Sequence, residues 1–402
     1  MSFASKKNFV RYGAASIAAC MLLANTSAQA QAPADEPDAD SIVVTGQNET
    51  NGLNLTARET PQSVTSLDSL RMQEQGLTDI SEVMAQIVGI QTNRSSALGT
   101  DGTNYTARGF AVQNYLVDGV ARPSNIYGFT EDTADMIAYD RIEVIRGSAG
   151  MMTGTGEPSA AINMIRKRPG ADLSATIAAT IGSWDKYRLE GDIGGALTAS
   201  GHIRARVAGA WQDNDTFIDR EHAKRQALYG VIEADLGPST LLTAGIEYQN
   251  FRNEGASRGG VPLFFTDGTK TDFARSTNGG ANWSDFSRKS VNIFASIAHD
   301  FDTNWHLQVD AEHKSGSYDE TIGYYFGTAI DKETGDGGTF YATRWASDLT
   351  LDAVYANLRG AFEALGQEQH VALTVSHTRF DDDQTPYPGW WGGSDYMYPI
   401  NA

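Results

Sequence analysis

The sequence predicts a small α+β domain followed by an antiparallel transmembrane β-barrel. Three observations lead there. A secretory signal opens the chain, and nothing after residue 30 is apolar enough for a membrane helix. From about residue 171 onward, apolar and polar residues alternate with a period of two. The connections between these alternating segments are short and long by turns, which is the rim asymmetry of outer-membrane barrels.

Residues 1–30 have the layout of a signal peptide. Lys6, Lys7 and Arg11 form a basic start, Gly13 to Ala24 is small and apolar, and Ala28-Gln29-Ala30 offers a cleavage site. The apolar run falls short of the ~20 residues that span a bilayer. It continues past Cys20, which argues against a lipoprotein box. Cys20 is the single cysteine, so the mature chain is expected to have no disulfide and no thiol chemistry. The formal net charge is −19, and removal of three basic residues with the signal makes the remainder more acidic still. A charge of that sign argues against nucleic acid as a partner.

Residues 31–60 form a polar leader interrupted by Ile42-Val43-Val44-Thr45-Gly46. β-Branched residues favour an extended backbone. Such a segment can add itself as a strand to another protein's sheet edge, or it can be the first strand of the domain that follows.

Residues 61–169 read as that domain. Pro61 to Thr65 is extended, and Leu67, Leu70 and Arg71 begin a short helix that Gly76 can end. Asp79 and Glu82 have capping-box spacing ahead of a second helix. Ile80, Val83, Met84 and Ile87 give that helix an apolar face, and Gly89 stands at its stop. Strand-like pieces follow at Tyr105–Ala107, Asn114–Val117, Arg141–Ile145 and Ala161–Ile165.

Residues 171–402 form the barrel segment. Leu242, Ala244, Ile246 and Tyr248 alternate with Thr243, Gly245, Glu247 and Gln249, and Ile203, Val207 and Trp211 with Arg204, Arg206 and Gln212. The expected strands are 173–182, 187–197, 203–213, 225–236, 240–252, 288–301, 305–318, 348–364 and 369–381. Their short links fall at Thr198–Gly201, Gly237–Ser239, Asp302–Asn304 and Gly366–Gln369, and long loops follow the third, fifth and seventh strands.

Residues 42–169 resemble the plug of TonB-dependent outer-membrane receptors, specifically the ferric-siderophore group. The matching segments include Ile42–Gly46, Thr60-Pro61-Gln62-Ser63-Val64-Thr65, Thr106-Ala107-Arg108-Gly109-Phe110 and Tyr115-Leu116-Val117-Asp118-Gly119-Val120. Asp140 to Gly147, and Thr153–Gly156 through Ala161 to Pro169, complete the series. The resemblance implies that a plug fills a barrel of about 22 strands, of which only about nine lie in this incomplete barrel segment. It implies that the chain is the N-terminal part of a longer receptor in the outer membrane of a Gram-negative bacterium, in contact with outer-membrane lipid. The ligand is then a ferric siderophore, with no permanently bound cofactor. The energy comes from TonB with its inner-membrane complex, through a TonB box at Ile42, Val43, Val44, Thr45 and Gly46. Arg108 and Arg146 become plug arginines that face carboxylates on the barrel wall, from strands later than those present. Cobalamin, haem or an oligosaccharide as cargo, or a non-functional fragment, are the alternatives. The family's signalling subtype inserts a domain ahead of the box. Only a short stretch separates Ala30 from Ile42, so that subtype is not expected.

Ligand is expected at the outer mouth. Aligned on Tyr115 and Gly119, the segment Arg122 to Tyr127 matches an apical plug loop that touches ligand in the family. Tyr127 can stack on a planar chelate, Arg122 supplies charge to an anionic one, and Arg94 is a further candidate. The bland reading of all three is a solvated loop. Tyr324, Tyr325, Tyr341, Trp345, Trp390 and Trp391 could form an outer wall, although an interfacial girdle or loop packing is preferred for any single one. Gly154-Thr155-Gly156 lacks the third glycine of a dinucleotide fingerprint, and Gly147 to Gly156 lacks the Gly-Lys-Ser/Thr of a phosphate loop. No nucleophile–base spacing and no metal motif stands out, so neither an enzyme nor a metal site is expected.

Overall fold

The computed structural model describes residues 63–94, 97–98, 103–122, 133–147, 158–326, 329–364, 366–384 and 397–400. A five-stranded sheet organises the N-terminal domain. Its strands are β1 (Ser63–Asp68), β5 (Asn114–Val117), β6 (Val120–Arg122), β7 (Tyr139–Arg146) and β8 (Ala160–Arg166), in the order β1-β7-β8-β5-β6. β5 and β8 run parallel and the other neighbours antiparallel. A small ribbon of β2 (Ile90–Arg94), β3 (Thr103–Ala107) and β4 (Phe110–Ala111) stands beside it.

Local chemistry sets the turns and helices. The Asp68 carboxylate accepts the Arg71 N–H at 2.8 Å and starts α1 (Ser69–Glu74), and Gly76 ends it at φ 66°. Asp79 and Glu82 form the expected capping box on α2 (Ile80–Met84): Asp79 Oδ1 accepts the Glu82 N–H at 3.0 Å, and Glu82 Oε2 accepts the Asp79 N–H at 3.3 Å. Asp118 and Gly119 both take positive φ, 49° and 80°, as the two-residue turn between β5 and β6 requires. Every residue of β8 is buried, as expected of a central strand covered on both faces.

The remaining strands form one long antiparallel sheet in sequence order. They are β9 (Ser174–Gly182), β10 (Lys186–Ala196), β11 (Ile203–Asp215), β12 (His222–Asp235), β13 (Thr240–Glu254), β14 (Asp285–Asp300), β15 (Trp305–Phe326), β16 (Gly338–Ala364) and β17 (Gln367–Gln384). A short β18 (Met397–Ile400), which the sequence did not signal, pairs with the first residues of β16. The strands reach further into the long connections than expected, because polar residues continue the backbone ladder beyond the apolar stretch. β15 and β16 have 22 and 27 residues, whereas ~9–11 suffice to cross a bilayer. At ~3.3 Å per residue both strands extend well beyond such a span.

The two faces of this sheet differ. On β13, Leu242 and Ile246 are exposed while Thr243 and Glu247 are buried. The buried face holds the N-terminal domain, and one apolar core crosses the boundary. Ile80, Val83, Met84, Tyr105, Ile142 and Ile162 join Ala208, Ala210, Ala227, Tyr229 and Phe294 of the wall. The wall alanines leave room for the domain's larger side chains. Fully burying one of those isoleucines is worth roughly 1.5–3 kcal/mol. Among the described residues no helix is long and apolar enough to cross a membrane.

Candidate functional site

The domain and the wall meet through paired charges where β8 ends in Arg166-Lys167-Arg168. Arg166 Nη1 donates to Asp118 Oδ2 at 2.9 Å, and its Nε to Glu247 Oε2 at 3.2 Å. Its Nη2 lies 3.8 Å from Glu312 Oε2, and its guanidinium stacks 4.2 Å over the Phe294 ring. The Tyr139 hydroxyl donates to Glu247 Oε1 at 2.8 Å. Lys167 Nζ reaches Asp192 Oδ2 at 2.8 Å, and the Tyr229 hydroxyl donates to the Lys167 carbonyl at 2.6 Å. Burial alone would raise the Asp118 carboxyl, but Arg166 and Arg168 beside it hold it below the usual carboxylate range. Burial lowers the Arg166 guanidinium, and Asp118 and Glu247 more than reverse that, so it stays charged.

Further anchors repeat the pattern. Arg188 of β10 makes a bidentate pair with the fully buried Asp135, at 2.7 and 2.9 Å. Arg225 of β12 donates to the Thr78 carbonyl at 3.2 Å and to Asp79 Oδ2 at 3.3 Å, just ahead of α2. Burial would raise the Asp79 carboxyl, and Arg225 and the Ser81 hydroxyl hold it low. Among the described residues, β1 and α1 make no hydrogen bond or ion pair to the wall. Hydrogen bonds reach the wall strands from residues 78–79 and 118–168, and the Ala97 N–H donates to the Ser257 carbonyl just beyond β13.

The outer mouth is lined differently. The Arg258 guanidinium sits 4.9 Å over the Trp345 ring, and Arg288 lies 5.1 Å over Phe286. Tyr324 and Tyr341 pack with ring centroids 5.5 Å apart, and Glu320 is buried between the two arginine stacks. Burial pushes the Arg258 guanidinium below its ordinary value. Aromatic faces with guanidinium groups can hold a flat anionic chelate.

The expected site residues scatter over these zones. Arg122 is at the end of β6 rather than in an open loop. It is buried, and both its terminal nitrogens bond the Glu312 carboxylate, Nη2 to Oε2 at 2.7 Å. Its guanidinium is thereby paired with the wall. Arg146, expected to face a wall carboxylate, donates to the Val88 carbonyl and to the Ser63 and Thr65 hydroxyls, the latter two at 2.7 and 3.1 Å. The pairing of Ser63 with Arg146 in the β1–β7 ladder directs it there, within its own domain. Arg108 sits exposed at the β3–β4 turn with φ 54°. Arg94 ends β2, exposed, opposite Thr103. Ile42, Val43, Val44, Thr45, Gly46, Tyr127, Trp390 and Trp391 lie outside the described residues. The sequence reading missed Asp79, Asp118, Asp135, Arg166, Arg188, Arg225, Glu247 and Glu312. For Arg188, Arg225, Glu247 and Glu312 the signal available was their position on the polar phase of a two-faced strand.

Residues 56–161 match the family model of the TonB-dependent receptor plug domain. The ferripyoverdine receptor of Pseudomonas aeruginosa is 36% identical over 325 residues, covering 80% of this chain and 39% of the receptor. The ferric-pyoverdine BN7/BN8 receptor of Pseudomonas putida is 32% identical over 379 residues, covering 94% and 45% respectively. Each is therefore more than twice the length of the stretch that this chain matches. The crystal structure of the P. aeruginosa outer-membrane ferripyoverdine receptor bound to ferripyoverdine superposes with a TM-score of 0.77 at 32% identity, over 88% of this chain and 49% of that one. With a plug-type sheet seated by buried ion pairs on the inner face of a barrel-type sheet, this chain carries a TonB-dependent receptor plug domain and is similar over most of its length to part of the ferripyoverdine receptors.

Proposed function

We propose that the chain supplies the plug, the energy-coupling segment and part of the barrel of an outer-membrane receptor that binds a ferric siderophore of the pyoverdine class. Import is driven through TonB and its inner-membrane complex. The observation that supports this most is the seating of the plug sheet against the wall in an arrangement shared with a ferripyoverdine receptor. The cationic and aromatic lining at Arg258, Trp345, Tyr324 and Tyr341 favours a planar anionic chelate as ligand. Tyr127 and Arg94 are the plug residues we assign to ligand contact, with Arg122 holding the neighbouring strand to Glu312. Residues 42–46 are the proposed TonB box, and Arg108 is the plug arginine left for a wall carboxylate.

The test is paired on the same cells: equilibrium binding of labelled ferric pyoverdine, and its energised uptake. Val44→Pro removes an amide donor and fixes φ, so strand addition to TonB is blocked. Uptake should be lost with binding unchanged, and Val44→Ile should retain both. Uptake that survives Val44→Pro would remove the box from this segment. Binding lost along with uptake would make the segment a strand of the plug instead.

A further inference from the structure

The turn between β9 and β10 holds an arrangement that packing does not explain. Trp184 and Asp185 are its two central residues, both with left-handed φ, 57° and 51°. Asn-Gly is the ordinary solution to such a turn, and a bulky residue there is strained. Trp184 is nevertheless 58% exposed, and its ring meets the edge of Phe217 with centroids 6.5 Å apart. The Arg275 guanidinium lies over the Phe217 ring, 5.1 Å from its centroid. The three groups come from the β9–β10 turn, the β11–β12 turn and the β13–β14 loop. Hydrogen bonds fix these parts to one another: Asp215 N–H to the Trp184 carbonyl at 2.8 Å, and Arg220 Nη2 to the Gly280 carbonyl at 2.8 Å. Between them is a hollow of about 940 Å3, edged by the carboxylates of Asp185, Asp215 and Asp219.

Its depth follows from the strands beneath it. The outward residues of β11 are Val207 and Trp211, both exposed, and then Asp213 and Asp215. Tyr187 of β10 pairs across from Asp213, so Trp211 and Tyr187 mark the aromatic level where lipid gives way to water. The hollow begins just beyond that level, on the rim of the long connections and on the lipid-facing side, because Asp215 and His222 lie on the outward phase of their strands.

We propose that this hollow binds the sugar headgroup of a glycolipid in the outer leaflet. Trp184 and Phe217 offer flat apolar faces to a pyranose ring, Asp185 and Asp215 accept from its hydroxyls, and Arg275 donates. The carboxylates of Asp185, Asp215 and Asp219 on the rim disfavour a bare phosphate, and the charged side chains set around the hollow disfavour an acyl chain. The inference uses the orientation of the strands in the outer membrane and is independent of which chelate the receptor carries.

The test uses the receptor extracted from outer membranes in detergent, titrated with three probes and read by native mass spectrometry. The probes are lipopolysaccharide bearing its core sugars, deep-rough lipopolysaccharide without them, and phosphatidylglycerol. The core-bearing glycolipid should be retained best. Trp184→Gly should weaken it roughly three- to tenfold, the range expected for loss of one aromatic contact. Glycine suits the left-handed turn, so the trypsin-resistant core of the variant should be unchanged. Ferric-siderophore binding should be unchanged too, which separates failure here from failure of the transport reading. Equal affinity of wild type and Trp184→Gly, or equal retention of all three probes, would overturn the proposal.

Discussion

The inner and outer faces of the same strands follow opposite rules. On the outer face of β10 to β14, Leu189, Val207, Leu228, Ile246 and Ile293 are exposed and interchangeable in kind, because lipid asks only that they be apolar. On the inner face, Arg188, Arg225, Glu247 and Asn292 are buried, and most have a specific partner. A face that meets a fluid can be generic. A face that meets a folded domain must match it group by group, since each buried charge left without a partner is costly. Specificity in this molecule therefore sits inside the wall, and within the plug it is concentrated in residues 78–79 and 118–168.

Removing the central partner should break that inner face most severely. Arg166→Ala leaves Asp118 and Glu247 buried without their main cation and should cost about 3–5 kcal/mol of plug stability. The loss is read as a fall in the urea midpoint of plug protection against protease. The pH dependence sharpens the point. The Asp118 and Asp79 carboxyls are depressed in the folded state, so their stabilisation is complete above the unfolded value of about 4 and is lost as pH falls through the lower folded value. The contribution of these two carboxyls to the wild-type midpoint should thus be flat from neutrality to about pH 5 and drop below about pH 4. In Arg166→Ala the desolvated Asp118 favours its neutral form, so mild acid should raise the midpoint of the variant. A parallel acid response in both proteins would mean that Arg166 does not set the charge of this cluster.

The outer face should respond to a different insult. Ile246→Arg places a charge on the lipid side of β13 and should cost about 2–4 kcal/mol if it lies near the bilayer midplane. The effect should appear in refolding yield into lipid vesicles, with the plug's protease pattern in the folded fraction unchanged. An altered plug pattern would show that the two faces are not independent.

The alternation that distinguishes the faces was legible in the sequence, and so were the nine strand positions, the capping box at Asp79 and the stop at Gly76, whereas α2 ends at Met84, short of the stop expected at Gly89. These are local matters of period and turn chemistry. The partners were not legible. Arg122 had the look of a loop charge because the strand that ends on it is three residues long, and Glu312, which neutralises it, is 190 residues away. Arg146 matched a motif, but its guanidinium is directed by the register of β1 against β7, which no local pattern encodes. Arg166 lies at the end of an apolar strand, where a basic residue ordinarily marks the return to solvent. Only the arrival of β13 and β15 beside it makes it a buried hub.

A subtler change tests whether polar pairing or apolar packing seats the plug. The Tyr229 ring is fully buried and lies stacked near Phe294, with centroids 6.3 Å apart. Its hydroxyl donates to the Lys167 carbonyl, just past the end of β8. Tyr229→Phe keeps the ring and its packing and removes only the donor. A buried carbonyl deprived of its partner costs about 1–3 kcal/mol, and a roomy interface that admits water would bring the loss to the low end. The expected result is a drop of about 1 kcal/mol in plug stability with no change in the denaturant slope. A drop of that size would mean that the wall reads the plug's backbone as well as its charges. An unchanged midpoint would instead assign the seating to the apolar core and the ion pairs, with the hydroxyl making no net contribution.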